Sequence, residues 1–288
     1  MPFLHVNYDV FWQIKAYEFI KIFNALSNCT FGVVRAYFRR KKVNGILEEK
    51  ENTMKKYKYT PKTKEELKAL VKDESIYLGD IDTSNITDMS CLFTNSTRKD
   101  FSGIEKWNTS KVITMAHMFS LCRFFNQDIS RWDVGEVENM SYMFHGCHYF
   151  NQPLDDWDVR NVETMAGMFW GCESFNQNIS KWNVGRVVNM DSMFARCYDF
   201  NQPLGDWDVR KVENMNSMFS SCKSFNQPLG DWDVKSVKSM RFMFHKCYVF
   251  NQDISKWDVR KDQYTENTFL DCPIDNSNKP EALQELSI

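Results

Sequence analysis

The sequence lacks a dominant charge. Its 36 lysines and arginines nearly balance 38 acidic residues, leaving a formal net charge of −2. A chain so balanced has no global basic field to draw it onto nucleic acid, and no nucleic-acid partner is expected. It also lacks a membrane-spanning run. The longest charge-free stretch near the start, residues 22–34, is broken by Asn, Ser and Thr, whereas a span needs about 20 apolar residues. Residues 1–10 show no basic segment leading into an apolar core and a small-residue cleavage site, so no secretory leader is expected. Catalytic signatures are missing too: there is no HExxH, no glycine-rich phosphate loop and no Ser-His-Asp set. These absences predict a non-enzymatic, cytoplasmic chain with no cofactor and no metal.

What is present is a chain that folds. Hydrophobic residues make up 43% and aromatics 15%, too much apolar surface for a disordered protein. Charge is uneven along it: residues 1–60 hold 11 basic against 5 acidic side chains. Nine cysteines raise the question of a disulfide framework. Seven of them fall at 122, 147, 172, 197, 222, 247 and 272, an odd set in fixed step. That spacing points to reduced thiols at one repeated structural position.

The same 25-residue step recurs throughout. It carries Trp132, Trp157, Trp182, Trp207 and Trp232, then Met140, Met165, Met190, Met215 and Met240, and the Phe-Asn-Gln triplets that begin at Phe125 and end at Phe250. The unit reads F-N-Q-x-[IL]-x-x-W-[DN]-V-x-x-V-x-x-M-x-x-M-F-x-x-C. The first copy is degenerate, with Ile81 in the tryptophan place, and in the last copy Thr265 and Thr268 replace both methionines. Atypical ends suit a stack, whose terminal coils have one neighbour instead of two. A unit this short cannot bury its own apolar face, so neighbours must stack. Phe-Asn-Gln-x-Ile alternates like a short strand. Met140, Met143, Phe144 and Cys147 follow the i, i+3, i+4, i+7 spacing of a helical turn. The expected fold is an α/β repeat solenoid with one short strand and one helical turn per coil, preceded by a small α-helical segment.

The pattern FNQ-x-[IL]-x-x-WDV-x-x-V-x-x-M, clearest from Phe125 to Met140, resembles the BspA-like leucine-rich-repeat surface proteins of bacteria. The resemblance spans about residues 57–272. It implies a leucine-rich-repeat-type solenoid and a role in adhesion or partner binding. If that role holds, the protein reaches the cell surface by a route other than a leader. The resemblance carries over no catalytic residues.

Each repeated position becomes a column along the stack. The Trp column, the Met column and the cysteines Cys147, Cys172, Cys197, Cys222 and Cys247 read as core. The Asn and Gln of each triplet are expected to form a stacked amide ladder, each side chain bonding the next coil's copy. The Asp or Asn after each Trp is expected to bond local backbone. Partner-binding residues should lie where copies differ: Tyr142, His148, Trp170, Tyr198, Phe242 and Tyr248.

The chain divides into five parts. Residues 1–42 form an amphipathic, basic segment, with Trp12, Phe19, Ile20 and Phe23 on one helical face and Arg39, Arg40, Lys41 and Lys42 after it. Such a segment suits peripheral contact with an anionic membrane, or docking on the first coil or a second copy. Residues 43–58 read as a linker, 59–80 as a cap of helix and strand, 81–272 as the repeat and 273–288 as a C-terminal tail. The leading functional expectation is an interaction scaffold for a protein or glycan. A carbohydrate-active enzyme and a purely structural, self-associating repeat remain as alternatives.

Overall fold

The computed structural model describes residues 57–284. The expectations for the basic segment 1–42, most of the linker and the last four residues lie outside them. Lys58 and Tyr59 already donate their N–H groups to Asp80 O, at 2.8 and 3.0 Å. The first coil therefore starts slightly before the linker was expected to end.

Helix α1 (Lys64–Lys72) opens the described body. Thr63 Oγ1 accepts from the Glu66 N–H at 3.2 Å, and the Glu66 carboxylate accepts from the Lys62 N–H at 2.7 Å. The first bond satisfies one donor that the first turn leaves orphaned, and the second ties the residue before the cap to the helix. Leu67 and Val71, one turn apart, are buried against the first coil. Lys64 Nζ reaches Asp88 at 3.1 Å, and the buried Arg98 guanidinium donates to the carbonyls of Val71, Asp73 and Ile76. The strand expected at residues 76–81 is instead a short 3-10 turn, Leu78–Asp80, followed by a single bridge between Tyr59 and Ile81. The N–H groups of Asp80 and Ile81 bond back three residues to Tyr77 and Leu78, which leaves no ladder to extend.

From residue 88 onward the coils stack in chain order. One parallel bridge joins each coil to the next, from Asp88 with Thr114 to Ser239 with Tyr264. Among the described residues no bridge extends into a strand, and the coils contain no α-helix. Residues 139–147 show the reason. The N–H groups of Met140, Tyr142, Phe144 and Gly146 all point to the following coil, onto the carbonyls of Thr164, Ala166, Met168 and Trp170 at 2.7–3.1 Å. Those of Met143, His145 and Cys147 fold back onto Met140, Tyr142 and Phe144 at 2.9–3.2 Å. A strand would send alternate N–H groups to opposite neighbours, and a helix would send all of them along itself. This wall does half of each. Its spacing still turns Met140, Met143, Phe144 and Cys147 inward, all fully buried. The apolar pattern is helical in period while the backbone is not helical.

The Phe-Asn-Gln segment is not a strand either, because side chains join the coils there. Asn176 Oδ1 accepts from the Asn201 N–H at 3.0 Å and from Gln202 Nε2 at 2.9 Å. The same bonds recur from Asn126 to Asn251. The residue after each Trp caps a turn: Asp133, Asn183 and Asp208 accept from the N–H two residues on, at 3.1–3.2 Å.

The core is a set of stacked columns. Indole rings of successive coils lie 6.3–6.5 Å apart and nearly parallel, and each Nε1–H reaches back to the previous coil, as Trp182 does to Leu154 O at 2.9 Å. Each buried cysteine donates its thiol to a phenylalanine carbonyl, Cys197 to Phe169 O at 3.0 Å. Burial pushes these thiols up, so they stay protonated donors. Burying one Phe or Met contributes about 1.5–3 kcal/mol, and every interior coil buries several.

At the far end Thr268 Oγ1 takes over from a methionine, donating to the Met240 and Thr265 carbonyls. The tail bonds to Asn251, Lys279 lies against the Phe269 ring, and the short helix α2 (Glu281–Gln284) buries Leu283. The N–H groups of Thr265, Asn267, Phe269 and Asp271, which in other coils bond the next one, have no backbone acceptor among the described residues.

Candidate functional site

The wall passes through the left-handed region twice per coil, with φ of 51–74°, and in every coil but the last both of these residues donate their N–H groups forward. The first left-handed column holds Cys91, His117, Tyr142, Gly167, Ser192, Ser217, Phe242 and Asn267. The second holds Asn95, Leu121, Gly146, Gly171, Arg196, Ser221, Lys246 and Asp271. For an L-residue with a Cβ this conformation costs roughly 1–2 kcal/mol, and glycine, asparagine and aspartate bear it best. Only three of these positions are glycine. Of the thirteen others, Tyr142, His117, Phe242 and Leu121 hold bulky apolar or aromatic side chains against that preference, half-buried or exposed. Their presence serves neither backbone ease nor the core.

Three adjacent coils gather these side chains into a cluster. His117 and Tyr142 stack with centroids 4.8 Å apart. His145 lies 4.8 Å from Trp170 and 5.9 Å from Tyr142, and Tyr142 is 6.3 Å from Trp170. The glycines make room. The Tyr142 ring lies over Gly167 where a Cβ would collide with it, and Leu121 lies over Gly146, where a Cβ would stand 2.9 Å from its methyl. The imidazole of His145 bonds Ser120 Oγ at 3.1 Å. Burial lowers its pKa, helped by His117 and His148, and holds it neutral at pH 7. Burial raises Asp191 and also Tyr142, whose phenol is further raised by the Asp191 carboxylate. On the same coils Phe124 and Tyr149 stack at 5.7 Å, 66% and 51% exposed.

Of the residues singled out from sequence, Tyr142 and Trp170 thus meet. His148 stands 3.9 Å from the Glu173 carboxylate. Tyr198 is apart, bonded to Arg196 at 3.3 Å and covered by Lys223 at 3.9 Å. Phe242 packs on His245 at 5.8 Å, and Tyr248 is exposed near the far end. Sequence reasoning missed His117, His145, Leu121, Phe124 and Tyr149. The three glycines at 146, 167 and 171, in a repeat whose other copies lack them, were the available signal.

Among the described residues no group of three or more His, Cys, Asp or Glu is placed to hold a metal ion, and no helix is long and apolar enough to cross a membrane. The described cysteines are free thiols.

A chain of near-identical stacked coils is a repeat protein. The family model described as Mycoplasma protein of unknown function, DUF285, matches residues 65–182 and again 163–281, and the chain belongs to that family. No curated protein and no solved structure matches the chain.

Proposed function

We propose that the chain is a non-enzymatic interaction scaffold, a leucine-rich-repeat-like solenoid akin to the BspA-like surface proteins. It holds a protein or glycan partner in an adhesion-like role. The observation that carries this reading is the cost of its outer face. Bulky aromatic side chains stand at left-handed positions where other coils place Cys, Gly, Ser or Asn. Strain kept at exposed side chains is a mark of a functional surface, and half-exposed aromatics flanked by polar groups are the usual anchors of one. Two of these anchors, Tyr142 and Trp170, converge with His117 and His145 within three coils.

Beads coated with the full chain, incubated with detergent-solubilised cell-surface fractions, test this. Tyr142→Asn and Trp170→Ala should each lower the retained material by about tenfold, the effect of roughly 1.4 kcal/mol at an anchor. Ser217→Ala, in the same column of a polar coil, should leave retention unchanged. Equal retention by all three variants would sink the assignment.

A further inference from the structure

Two of the three column glycines are accounted for by packing, since Leu121 covers Gly146 and Tyr142 covers Gly167. Gly171 is not. A Cβ there would meet nothing nearer than the backbone of Gly146, at 3.7 Å. The fold does not demand glycine at this column either, because the next coil carries Arg196 there with φ 61°. Gly171 is a partly exposed stretch of backbone with room for a side chain that it does not carry.

Its surroundings are chemically mixed. On one side stands the half-buried indole of Trp170, backed by His145. Two residues on, Glu173 faces His148 at 3.9 Å, both partly exposed. On the next coil Arg196 extends into solvent, tied to the Tyr198 hydroxyl at 3.3 Å. The Gly171 N–H is already taken by Ala195 O at 2.8 Å, while its carbonyl accepts no backbone hydrogen bond among the described residues.

We infer that Trp170 and Gly171 form the floor of a carbohydrate site that takes a neutral hexopyranose unit. This rests on the reading of the outer face as a binding surface and names its ligand. A pyranose has an apolar C–H face, which stacks on an indole, and a rim of vicinal hydroxyls. Glu173, His148 and Arg196 are placed to bond that rim, carboxylate and guanidinium being the groups that engage paired hydroxyls best. Glycine lets the sugar approach the backbone closely, and the open carbonyl receives a hydroxyl proton. With acid and base both present, the rim has no net preference for an anionic sugar.

The test uses the full chain on immobilised neutral oligosaccharides built of glucose, galactose, mannose or N-acetylglucosamine, with acidic and peptide surfaces alongside. The wild type should be retained on at least one neutral sugar surface and released by the free sugar. Trp170→Ala and Gly171→Arg should each weaken retention by about tenfold or more. Gly171→Arg repeats what the next coil already holds, so it should fold and melt within about 5 °C of the wild type, the small loss being the strain of a Cβ at left-handed φ. Glu173→Gln, a conservative change at a half-exposed position, provides a second probe of the rim. Retention on no sugar surface, or undiminished retention of Gly171→Arg, would overturn the inference. If sugars fail while capture of cell-surface material still depends on Tyr142, the scaffold reading stands and the carbohydrate site does not.

Discussion

Asn176 offers a direct test of how the coils are joined. Its Oδ1 accepts two hydrogen bonds from the next coil, from the Asn201 N–H at 3.0 Å and Gln202 Nε2 at 2.9 Å. Its own N–H is held by Asn151 Oδ1 at 3.0 Å, a backbone bond that survives side-chain replacement. Asn176→Ala therefore removes one acceptor and strands two donors. At about 0.5–1.5 kcal/mol per bond, with water able to reach this edge, the expected loss is about 1–2 kcal/mol. For a body of this size that is a fall in thermal midpoint of roughly 5 °C. Asn176→Asp keeps the accepting oxygen and should stay within about 0.5 kcal/mol of the wild type at pH 7. The aspartate variant has a further signature. Two donors to the charged form hold its folded pKa below the unfolded value, near 3.9. Its stabilising contribution is then present above the unfolded pKa and is lost as pH falls through the folded one. Calorimetry at pH 7 and pH 3 reads both effects. If the alanine variant melts with the wild type, or the aspartate variant is as weak as alanine, the accepting oxygen is not what joins the coils.

Other consequences follow from the same geometry. Brief alkylation at pH 8 should leave Cys147, Cys172, Cys197, Cys222 and Cys247 unmodified, since all are buried with raised pKa values, and should reach the half-exposed Cys91 before any of them. Peptide mass spectrometry would show otherwise if any interior thiol reacted as fast as Cys91. Trp182→Phe leaves the Leu154 carbonyl without its 2.9 Å donor and opens space in the indole column; the expected loss is about 2 kcal/mol in denaturant titration. Amide exchange should be fast at Thr265, Asn267, Phe269 and Asp271 and slow at Met240, Phe242, Phe244 and Lys246, which donate to the last coil. Equal protection of both rows would contradict the one-way ladder.

Much of the architecture was legible because columns are written in the sequence. The 25-residue step located Trp132, Met140 and Cys147 on the inside, where they are fully or nearly buried. The backbone was not legible. Met140, Met143, Phe144 and Cys147 have helical spacing, yet a wall that passes twice through the left-handed region buries the same four positions. Periodicity reports which side chains turn inward and not how the chain turns them. The strand expected at Phe-Asn-Gln failed for a related reason: alternation was present, but Asn side chains had taken over the inter-coil bonds. The site was legible only in part. Tyr142 and Trp170 stand out as variable aromatics, whereas His117 and His145 gain meaning only once adjacent coils are superposed. Tyr198 shares its slot with Tyr248, but local partners, Arg196 and Lys223, hold it away from the cluster.

The central claim is that the outer aromatics are held for binding at the expense of backbone ease. Tyr142→Asn measures it when stability and partner retention are read on the same preparation. Asparagine relieves left-handed strain of about 1 kcal/mol and forfeits ring contacts with His117 worth about as much. The account predicts a thermal midpoint within about 3 °C of the wild type together with a roughly tenfold loss of retention. A variant destabilised by more than about 2 kcal/mol that still binds fully would show that Tyr142 is there for packing, and would contradict it.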